Sequence, residues 1–595
     1  MPPTRILLER DVEVPMGDGT VLRADVYRPE GEGRWPVLLQ RTPYDKTQHA
    51  LSWGALDPTK LAAAGYAVVL QDVRGRFASG GEFSPYVHEA ADGAESIAWA
   101  AAQPWSSGAV GTYGVSYMGQ SQWLAAQRRP PALAAMVTAT APNDAHSDLT
   151  YRGGALQLGV LAYWNVVAVA PHELVRRRRG SPELGAELAG LVDDIDALDA
   201  RLRQLPLVPF APLMRGGGLV PSFHDDVRDE VRGERHERMS SGRVDAIEAP
   251  VLQVAGWYDL CLQPDLDHFM ALRAEGPGGA AGAAGAAGAT GAAGAANARA
   301  RRLSRIVIGP WAHGSFGGVA GELDFGLRAS GLSLDLREDL TGLHRRWFDA
   351  RLRGLATGID EEPPVKLFVM GRKRWRYEDE WPLRRARAER WYVHGDGSLR
   401  RQPPGEAGGA KAFTLEPDDP VPTRGGALLM AATYARGPAE QALVEARPDV
   451  LVFSSAPLDE EYEATGRLRF VAYVAAETVD TDVVIKLCDV HPDGRSYNVA
   501  DGVRRLRFRD SLEAPKLAKP GEVYRVEVDL WSTSHVFLRG HRLRVQVAAS
   551  DFPRYDRCAG TGEGSATATR VVRQRNLLFC DAARASFLEL PFVPG

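Results

Sequence analysis

Short apolar runs alternate with helical patterns along the first third of the chain. Strand-like runs lie at 36–40, 66–70, 109–113 and 133–138, and helix candidates at 90–102 and 118–128 stand between them. Apolar strands separated by helices predict βαβ units, which build a mostly parallel sheet buried on both faces. Two further apolar runs, at 251–255 and 305–308, predict that the same sheet continues later in the chain.

The pattern changes between residues 146 and 248, where the chain is charged and helix-rich. Leucine, valine and isoleucine residues between 184 and 205 fall on one helical face. We therefore predict one α/β domain over 1–145 and 249–360, with residues 146–248 inserted as a helical cap. Residues 276–300 are almost entirely Gly and Ala, whose side chains bury little surface, and we expect a disordered surface insertion there.

Beyond residue 361 the chain reads as short alternating strands with no helical pattern between them. Examples are the runs at 365–370, 468–474 and 542–547. This spacing predicts a C-terminal β-sandwich of jelly-roll type over residues 361–595.

A candidate nucleophile stands between a predicted strand and a predicted helix. The hexapeptide 114–119 reads Gly-Val-Ser-Tyr-Met-Gly and directly follows the strand ending at Tyr113. A strand-to-helix turn this sharp needs small neighbours, and it exposes the serine hydroxyl at the carboxyl end of the sheet. A lone Gly-x-Ser is also typical of ordinary turns, but the flanking strand and helix favour Ser116 as a nucleophile.

A serine hydroxyl needs a base to accept its proton, and the base needs an acid that orients it. In this arrangement the chain order is Ser, then Asp or Glu, then His. Asp259 follows the predicted strand at 251–255, and His313 follows the one at 305–308. We therefore predict Ser116, Asp259 and His313 as the catalytic residues; a helix-capping Asp259 and a turn-forming His313 are the alternatives.

The oxyanion hole is predicted from two tyrosines. One donor is the backbone N–H of the residue after the nucleophile, Tyr117. The second comes from an early loop, where Tyr44 follows the strand at 36–40 and carries a phenol that stays protonated at neutral pH. Simple packing is the alternative role of Tyr44.

Composition excludes several other classes. A net charge of -5 with a pI near 6.3 gives no basic excess for a nucleic-acid partner. No signal peptide or membrane span is predicted, and the four scattered cysteines fit a reducing cytoplasm. The acidic and histidine residues at 224–237 complete no HExxH motif, so no metal is expected. The oligomeric state is left open between a monomer and a homodimer.

Several segments together resemble the X-Pro dipeptidyl-peptidase and cocaine-esterase (CocE/NonD) family of α/β hydrolases, nearly end to end. They are Arg-Thr-Pro-Tyr at 41–44, Asp-Val-Arg-Gly-Arg at 72–76, Ser-Gly-Gly at 79–81, Gln-Pro-Trp at 103–105, the hexapeptide at 114–119, Gly-Trp-Tyr-Asp at 256–259, Gly-Pro-Trp-Ala-His-Gly at 309–314, Trp-Phe-Asp at 347–349, Val-Met-Gly at 369–371 and Gly-His-Arg-Leu-Arg at 540–544. The resemblance implies an α/β-hydrolase domain with a helical cap and a C-terminal jelly roll. It also implies an oxyanion hole of Tyr44 and Tyr117, a pocket residue at Trp164, and no cofactor.

The substrate is predicted from the residues just after the acid. Family members that bind a free α-amino group place carboxylates there, whereas this chain has Leu260, Cys261 and Leu262. An apolar wall that includes Leu260 favours an ester of a small uncharged or aromatic acyl group. An X-Pro dipeptidyl-peptidase or α-amino-acid ester hydrolase is the alternative enzyme. A binding protein that uses the β-sandwich, with a silent hydrolase site, is the alternative of another class.

Overall fold

A ten-stranded sheet forms the first part of the computed structural model, which describes residues 5–48, 56–274 and 292–594. Its strands lie in the order Ile6–Pro15, Val21–Pro29, Ala67–Asp72, Trp35–Thr42, Ser106–Val115, Leu133–Ala139, Val251–Tyr258, Arg305–Ala312, Val365–Val369 and Arg374–Glu378. The pairs from Ala67–Asp72 through Val365–Val369 are all parallel, and the outer pairs are antiparallel. The predicted mostly parallel sheet is confirmed.

The central strands are buried along their whole length. Every residue of Ala67–Asp72, Val251–Tyr258 and Arg305–Ala312 is buried, as expected for strands covered by helices on both faces. The helices that connect or flank the sheet are Pro58–Ala63, Glu89–Ala102, Tyr117–Ala126, Leu262–Arg273, Ala292–Leu303 and Leu340–Leu352. The carboxyl ends of the parallel strands therefore meet at one edge of the domain, where ligands bind in such sheets.

Between Leu133–Ala139 and Val251–Tyr258 the chain leaves the sheet and forms the cap. Its α-helices are Leu158–Tyr163, Ala170–Arg177, Leu184–Asp196, Leu198–Arg201, Pro221–Arg228 and Glu234–Glu237. Ala145–Thr150 and Trp164–Val169 are π-helices, and Ala211–Gly217 and Val244–Ala246 are 3₁₀ helices. The continuous helical stretch Leu158–Arg177 is long and apolar enough to cross a membrane, yet over half of its apolar window is buried inside the protein. Core packing in the cap accounts for that composition.

The C-terminal part consists of two antiparallel sheets around one core. The larger sheet holds Arg387–Val393, Leu399–Arg400, Ala410–Leu415, Tyr462–Ala476, Val523–Phe537, Gln574–Asp581, Arg584–Ala585 and Phe587–Phe592. The smaller holds Leu451–Ser454, Asp482–Val490, Ser496–Arg505 and Arg542–Ala548. The predicted separate all-β domain is confirmed, while its jelly-roll connectivity stays a prediction.

Two sequence-based assignments are corrected by the structure. The strand predicted at 365–370 for the C-terminal sandwich pairs in parallel with Arg305–Ala312 and so extends the first sheet. Its five residues are buried, and an apolar run does not reveal which sheet it joins. Residues 276–291 of the predicted disordered insertion lie outside the described residues. Residues 292–300 belong to the helix Ala292–Leu303, because alanine and arginine favour helix where glycine is sparse.

Candidate active site

Ser116 stands at the turn between the strand Ser106–Val115 and the helix Tyr117–Ala126. Its backbone has φ 59° and ψ −122°, which is strained for a residue with a Cβ. A Cβ at Gly114 would lie 2.5 Å from the Cβ of Met118, and one at Gly119 would lie 2.5 Å from the Cβ of Ala141. Both glycines are therefore required for the close approach of strand and helix at this turn.

Ser116, His313 and Asp259 form one hydrogen-bonded chain. His313 Nε2 lies 2.9 Å from Ser116 Oγ, and His313 Nδ1 lies 3.1 Å from each carboxylate oxygen of Asp259. Each residue follows a different parallel strand, so all three reach the same edge of the sheet. This geometry lets the imidazole accept the hydroxyl proton while the carboxylate holds the ring and stabilises its charge.

The Asp259 carboxylate is shielded from solvent and held in place by a backbone hydrogen bond. Asp259 is fully buried, and its Oδ1 accepts a hydrogen bond of 2.7 Å from the N–H of Cys261. His313 is 5% exposed. Burial strengthens the interaction between this carboxylate and an imidazolium, because little water competes for either group.

The Tyr44 hydroxyl is held by the cap. The indole Nε1 of Trp164 donates to the Tyr44 oxygen at 2.9 Å, which leaves the phenolic hydrogen free to donate to a ligand. Burial raises the pKa of Tyr44 to about 12, so the phenol keeps its proton at neutral pH. Tyr44 and Ser116 line the same cavity, where the predicted role of Tyr44 as an oxyanion donor is geometrically open to it.

The loop that carries Tyr44 is tied to the cap by a buried arginine. Arg76 is 1% exposed and donates through Nε to the carbonyl of Pro43 at 2.9 Å. Its two terminal nitrogens donate to the carbonyls of Ala168 and Val169, each at 3.2 Å. The guanidinium thus joins the Tyr44 loop to the helical stretch that carries Trp164.

Tyr117 places its backbone N–H at the start of the helix after Ser116, as predicted. Its side chain is fully buried, and its hydroxyl donates to Glu89 Oε1 at 3.0 Å. The other oxygen of Glu89 is ion-paired with Arg41, also buried. The same Tyr117 hydroxyl accepts from the backbone N–H of Tyr86 at 3.1 Å. A polar network under the turn therefore holds the residue that follows the nucleophile.

Comparison with known proteins assigns the chain. Residues 18–315 match the X-Pro dipeptidyl-peptidase (S15) family, and residues 357–589 match the X-Pro dipeptidyl-peptidase C-terminal non-catalytic domain. The chain belongs to this family. The cocaine esterase of Rhodococcus sp. (strain MB1 Bresler) is 36% identical over 564 residues, which cover 93% of this chain and 92% of that protein. As a family member with such a relative, the protein is a serine hydrolase.

Solved structures show the same fold at lower identity. An aminopeptidase from a marine sediment archaeon, Thaumarchaeota archaeon, superposes with a TM-score of 0.77 at 21% identity, over 100% of this chain and 97% of that one. An α-amino acid ester hydrolase superposes with a TM-score of 0.74 at 23% identity, over 99% of this chain and 97% of that one. The fold of this chain is therefore shared, over nearly the whole length, with these two solved structures.

In this family member Asp259 is fully buried, whereas Ser116 and His313 line one cavity. Its apolar lining comes from the catalytic domain, the cap and the C-terminal domain: Tyr44, Pro85, Tyr86, Ala145, Leu149, Val160, Leu161, Trp164, Met239, Leu260 and Leu429. Both pocket residues that the sequence suggested, Trp164 and Leu260, stand in this wall. Cys261 and Leu262 do not line it; they are buried beside the acid.

Several wall residues were missed by the sequence analysis. Leu149 and Met239 lie in irregular parts of the cap, and Leu429 comes from a C-terminal loop. No local pattern marks them. Tyr86 has a φ of 64°, and its ring stacks on Tyr117 with centroids 4.3 Å apart, neither of which is visible in the sequence.

The charged region at 224–237 forms ion pairs in the structure. Arg235 Nη2 lies 2.6 Å from Asp226 Oδ1 and 3.1 Å from Asp229 Oδ2. Arg232 lies 2.8 Å from Asp144. Asp226 and Arg235 also line the cavity, together with Ser222, Thr150 and Asn165. The cavity is therefore apolar over most of its wall and polar at the part formed by these cap residues.

Proposed function

We propose that the protein hydrolyses carboxylic esters of a small, uncharged or aromatic acyl group through an acyl-enzyme. The observation that carries this proposal is the 2.9 Å contact between His313 Nε2 and Ser116 Oγ at a cavity with a mostly apolar wall. The 36% identity to a cocaine esterase supports an ester as the bond that is cleaved.

In the first half of the reaction His313 takes the proton from the Ser116 hydroxyl, which attacks the ester carbonyl. The oxygen of the tetrahedral intermediate accepts hydrogen bonds from the Tyr44 hydroxyl and the Tyr117 backbone N–H. His313 then donates its proton to the leaving alcohol, and the acyl group stays on Ser116. Asp259 keeps the imidazole in the required tautomer throughout.

In the second half His313 removes a proton from water, which attacks the acyl-enzyme. The new intermediate is bound by the same two donors, and its collapse releases the acid and returns the proton to Ser116. No step needs a group beyond these five residues, so the proposal includes no cofactor. The four cysteines are free and buried, which supports a cytoplasmic location.

A second candidate function is hydrolysis of amino-acid esters or X-Pro peptides. Asp226 favours it, because a carboxylate that lines the cavity could receive an α-ammonium group. The pairing of Asp226 with Arg235 weakens this candidate, since the guanidinium already neutralises the carboxylate. The apolar Leu260 beside Asp259 also favours an uncharged group.

Paired assays test the proposal. We expect p-nitrophenyl butyrate to give a higher kcat/KM than an amino-acid p-nitrophenyl ester or Gly-Pro-p-nitroanilide. A fluorophosphonate should label Ser116, and Ser116→Ala should remove both the label and the turnover of every ester. A preference for the free-amine substrates would favour the second candidate. If the fluorophosphonate does not label the wild-type protein and none of these substrates is turned over, both candidate functions are contradicted and a binding role is favoured.

A further inference from the structure

Two charged side chains of the cap share the cavity with Ser116. Asp226 lies on the helix Pro221–Arg228, and Arg235 lies on the short helix Glu234–Glu237. Their side chains are 20% and 27% exposed, respectively. Charged groups of this kind are costly in an otherwise apolar wall unless each is paired, and these two pair with one another.

The pair leaves hydrogen-bonding capacity on both sides. Arg235 Nη2 donates to Asp226 Oδ1 at 2.6 Å, and Arg235 Nε donates to Asp229 Oδ2 at 3.2 Å. Within the described part of the chain, Arg235 Nη1 makes no hydrogen bond and Asp226 Oδ2 receives none. A guanidinium donor and a carboxylate acceptor therefore stay available on neighbouring atoms of one ion pair.

A hydroxyl is a small neutral group that can use both. Its hydrogen can be donated to a carboxylate oxygen, and its oxygen can accept from a guanidinium N–H. We infer that Asp226 and Arg235 bind a hydroxyl group of the ester substrate. This inference rests on the proposed ester hydrolysis, and the hydroxyl is carried by the apolar part of the ester that fills the cavity. The substrate class is therefore a hydroxylated aromatic or alicyclic ester.

Other polar groups match the pair less well. An ammonium offers donors to Asp226 but places a positive charge against Arg235 and has nothing to accept. A carboxylate would pair with Arg235 but meets the negative charge of Asp226. An ether accepts from Arg235 and leaves Asp226 without a donor. Of the four groups, the hydroxyl is the one that leaves neither an unmet partner nor a like-charge contact.

The apolar wall indicates what carries the hydroxyl. Tyr86, Leu149, Trp164 and Leu260 surround the space beside Ser116 with aromatic and aliphatic groups. Such a surface binds a ring or hydrocarbon skeleton by burying it, and the polar pair then fixes its direction. Binding energy from that distant hydroxyl can be used to align the ester carbonyl with Ser116.

The test uses matched esters with and without one hydroxyl. The acyl arm compares p-nitrophenyl 3-phenylpropanoate with its 4-hydroxyphenyl analogue. The alcohol arm compares 2-phenylethyl acetate with its 4-hydroxyphenyl analogue. We expect the hydroxylated ester to have a kcat/KM about 10- to 100-fold higher in one of the arms. A 4-methoxy analogue should lose that advantage.

Variants of the pair supply the control. Asp226→Ala and Arg235→Gln should each bring the ratio of hydroxylated to unsubstituted ester close to one. Asp225→Ala removes the neighbouring carboxylate, which is 52% exposed and pairs with Arg228, and should leave the ratio and the basal rate unchanged. If Asp226→Ala does not fold, Asp226→Asn keeps the size and should still lower the ratio.

The possible outcomes distinguish failure of the hydroxyl inference from failure of the proposed ester hydrolysis. Wild-type protein that hydrolyses none of the esters in a Ser116-dependent way would overturn the proposed function. Wild-type protein that hydrolyses all of them with equal kcat/KM in both arms would overturn the hydroxyl inference alone. A 4-aminomethyl analogue that exceeds the hydroxylated ester would also overturn it and would favour an ammonium ligand at Asp226.

Discussion

Two buried aspartate–histidine groups can be compared in the described part of the chain, one beside the Ser116 hydroxyl and one in the C-terminal domain. In the catalytic domain, Asp259 holds His313, whose other nitrogen lies 2.9 Å from Ser116 Oγ. In the C-terminal domain, Asp489 accepts from His535 Nε2 at 3.0 Å and from His541 Nδ1 at 2.8 Å. The two groups share residue types and burial but differ in their surroundings.

The difference lies in how each carboxylate and imidazole is used. Both oxygens of Asp489 are occupied by histidines, and His535 Nδ1 meets no hydrogen-bonding partner among the described residues. His313 instead lines a cavity shared with a hydroxyl. The strained turn and the cavity thus give the His313 group a hydroxyl and room for a ligand, whereas the Asp489 oxygens are both occupied by histidines.

The Asp489 group stands where the two domains meet. His535 forms a parallel bridge with Met370, which directly follows the strand Val365–Val369 of the first sheet. Burial raises the pKa of Asp489, but the hydrogen bonds from His535 and His541 outweigh it and hold the pKa at about 2. This carboxylate is therefore an anion at neutral pH, and it lies at the interface.

Removing the negative charge of the aspartate from each group in turn should give the largest difference in kcat between the two groups. Asp259→Asn disturbs the tautomer and charge that His313 needs, and we expect kcat to fall by about 10⁴ with little change in KM. Asp489→Asn should leave kcat unchanged. Steady-state kinetics on p-nitrophenyl butyrate below the unfolding temperature measure both. Equal losses of kcat in the two variants would contradict the separation of roles.

The Tyr44 hydroxyl sharpens the contrast further, because it lines the cavity beside Ser116 and belongs to the His313 group alone of the two. Tyr44→Phe should lower kcat by about 10²–10³ and leave KM nearly unchanged, since the donor acts on charge that develops in the transition state. Tyr392→Phe, which removes a phenol from the C-terminal domain, is the control. An unchanged kcat in Tyr44→Phe would remove this hydroxyl from the mechanism.

The free energy of unfolding, unlike kcat, should depend on the charge of Asp489. The lowered pKa of Asp489 contributes about 2 kcal/mol to folding, present above the unfolded pKa near 4 and lost as pH falls toward 2. Asp489→Asn should therefore lower the free energy of unfolding by that amount at pH 7 and by about half of it at pH 3. Urea unfolding at both pH values measures the difference.

The control for that experiment is the neighbouring Asp493. Its side chain is 50% exposed and pairs with Arg495, so Asp493→Asn should leave the free energy of unfolding nearly unchanged. A penalty in Asp489→Asn that is as large at pH 3 as at pH 7 would mean that packing, and not the charge of the carboxylate, is what stabilises this interface.

The meeting of Ser116, Asp259 and His313 could be predicted from the sequence because each follows a recognisable strand. Ser116, Asp259 and His313 come just after the runs at 109–113, 251–255 and 305–308, and parallel strands bring such positions to one edge. Chain order then separated acid from base. Local sequence patterns are therefore enough to predict a site when its residues all follow parallel strands, because the sheet brings the ends of these strands together.

The cavity wall could not be predicted in that way. Leu149, Met239 and Leu429 meet there from two domains, and nothing in their own segments indicates the meeting. Asp226 and Arg235 lie in a stretch whose charges also suit an exposed helix face. The strand Val365–Val369 was assigned to the wrong sheet for a related reason, since an apolar run indicates burial but not its neighbour. Long-range packing decides all of these.

The smallest effect on kcat is expected from the hydrogen bond between Tyr117 and Glu89, which lies under the turn at Ser116. The Tyr117 hydroxyl donates to buried Glu89, and burial raises the pKa of Tyr117 well above its ordinary value, so the donor is kept. Tyr117→Phe removes this anchor while the backbone N–H remains. We expect kcat to fall by about tenfold, with KM unchanged, because the oxyanion donor is held less firmly.

Glu89→Gln tests the same anchor from the acceptor side. If the hydrogen bond positions the turn, the variant should lower kcat alone, and the double variant with Tyr117→Phe should lose no more than the larger single loss. Tyr392→Phe again controls for loss of a phenol. Losses of kcat that multiply in the double variant, or a change confined to thermal stability, would show that Tyr117 serves the fold and not the position of the oxyanion donor.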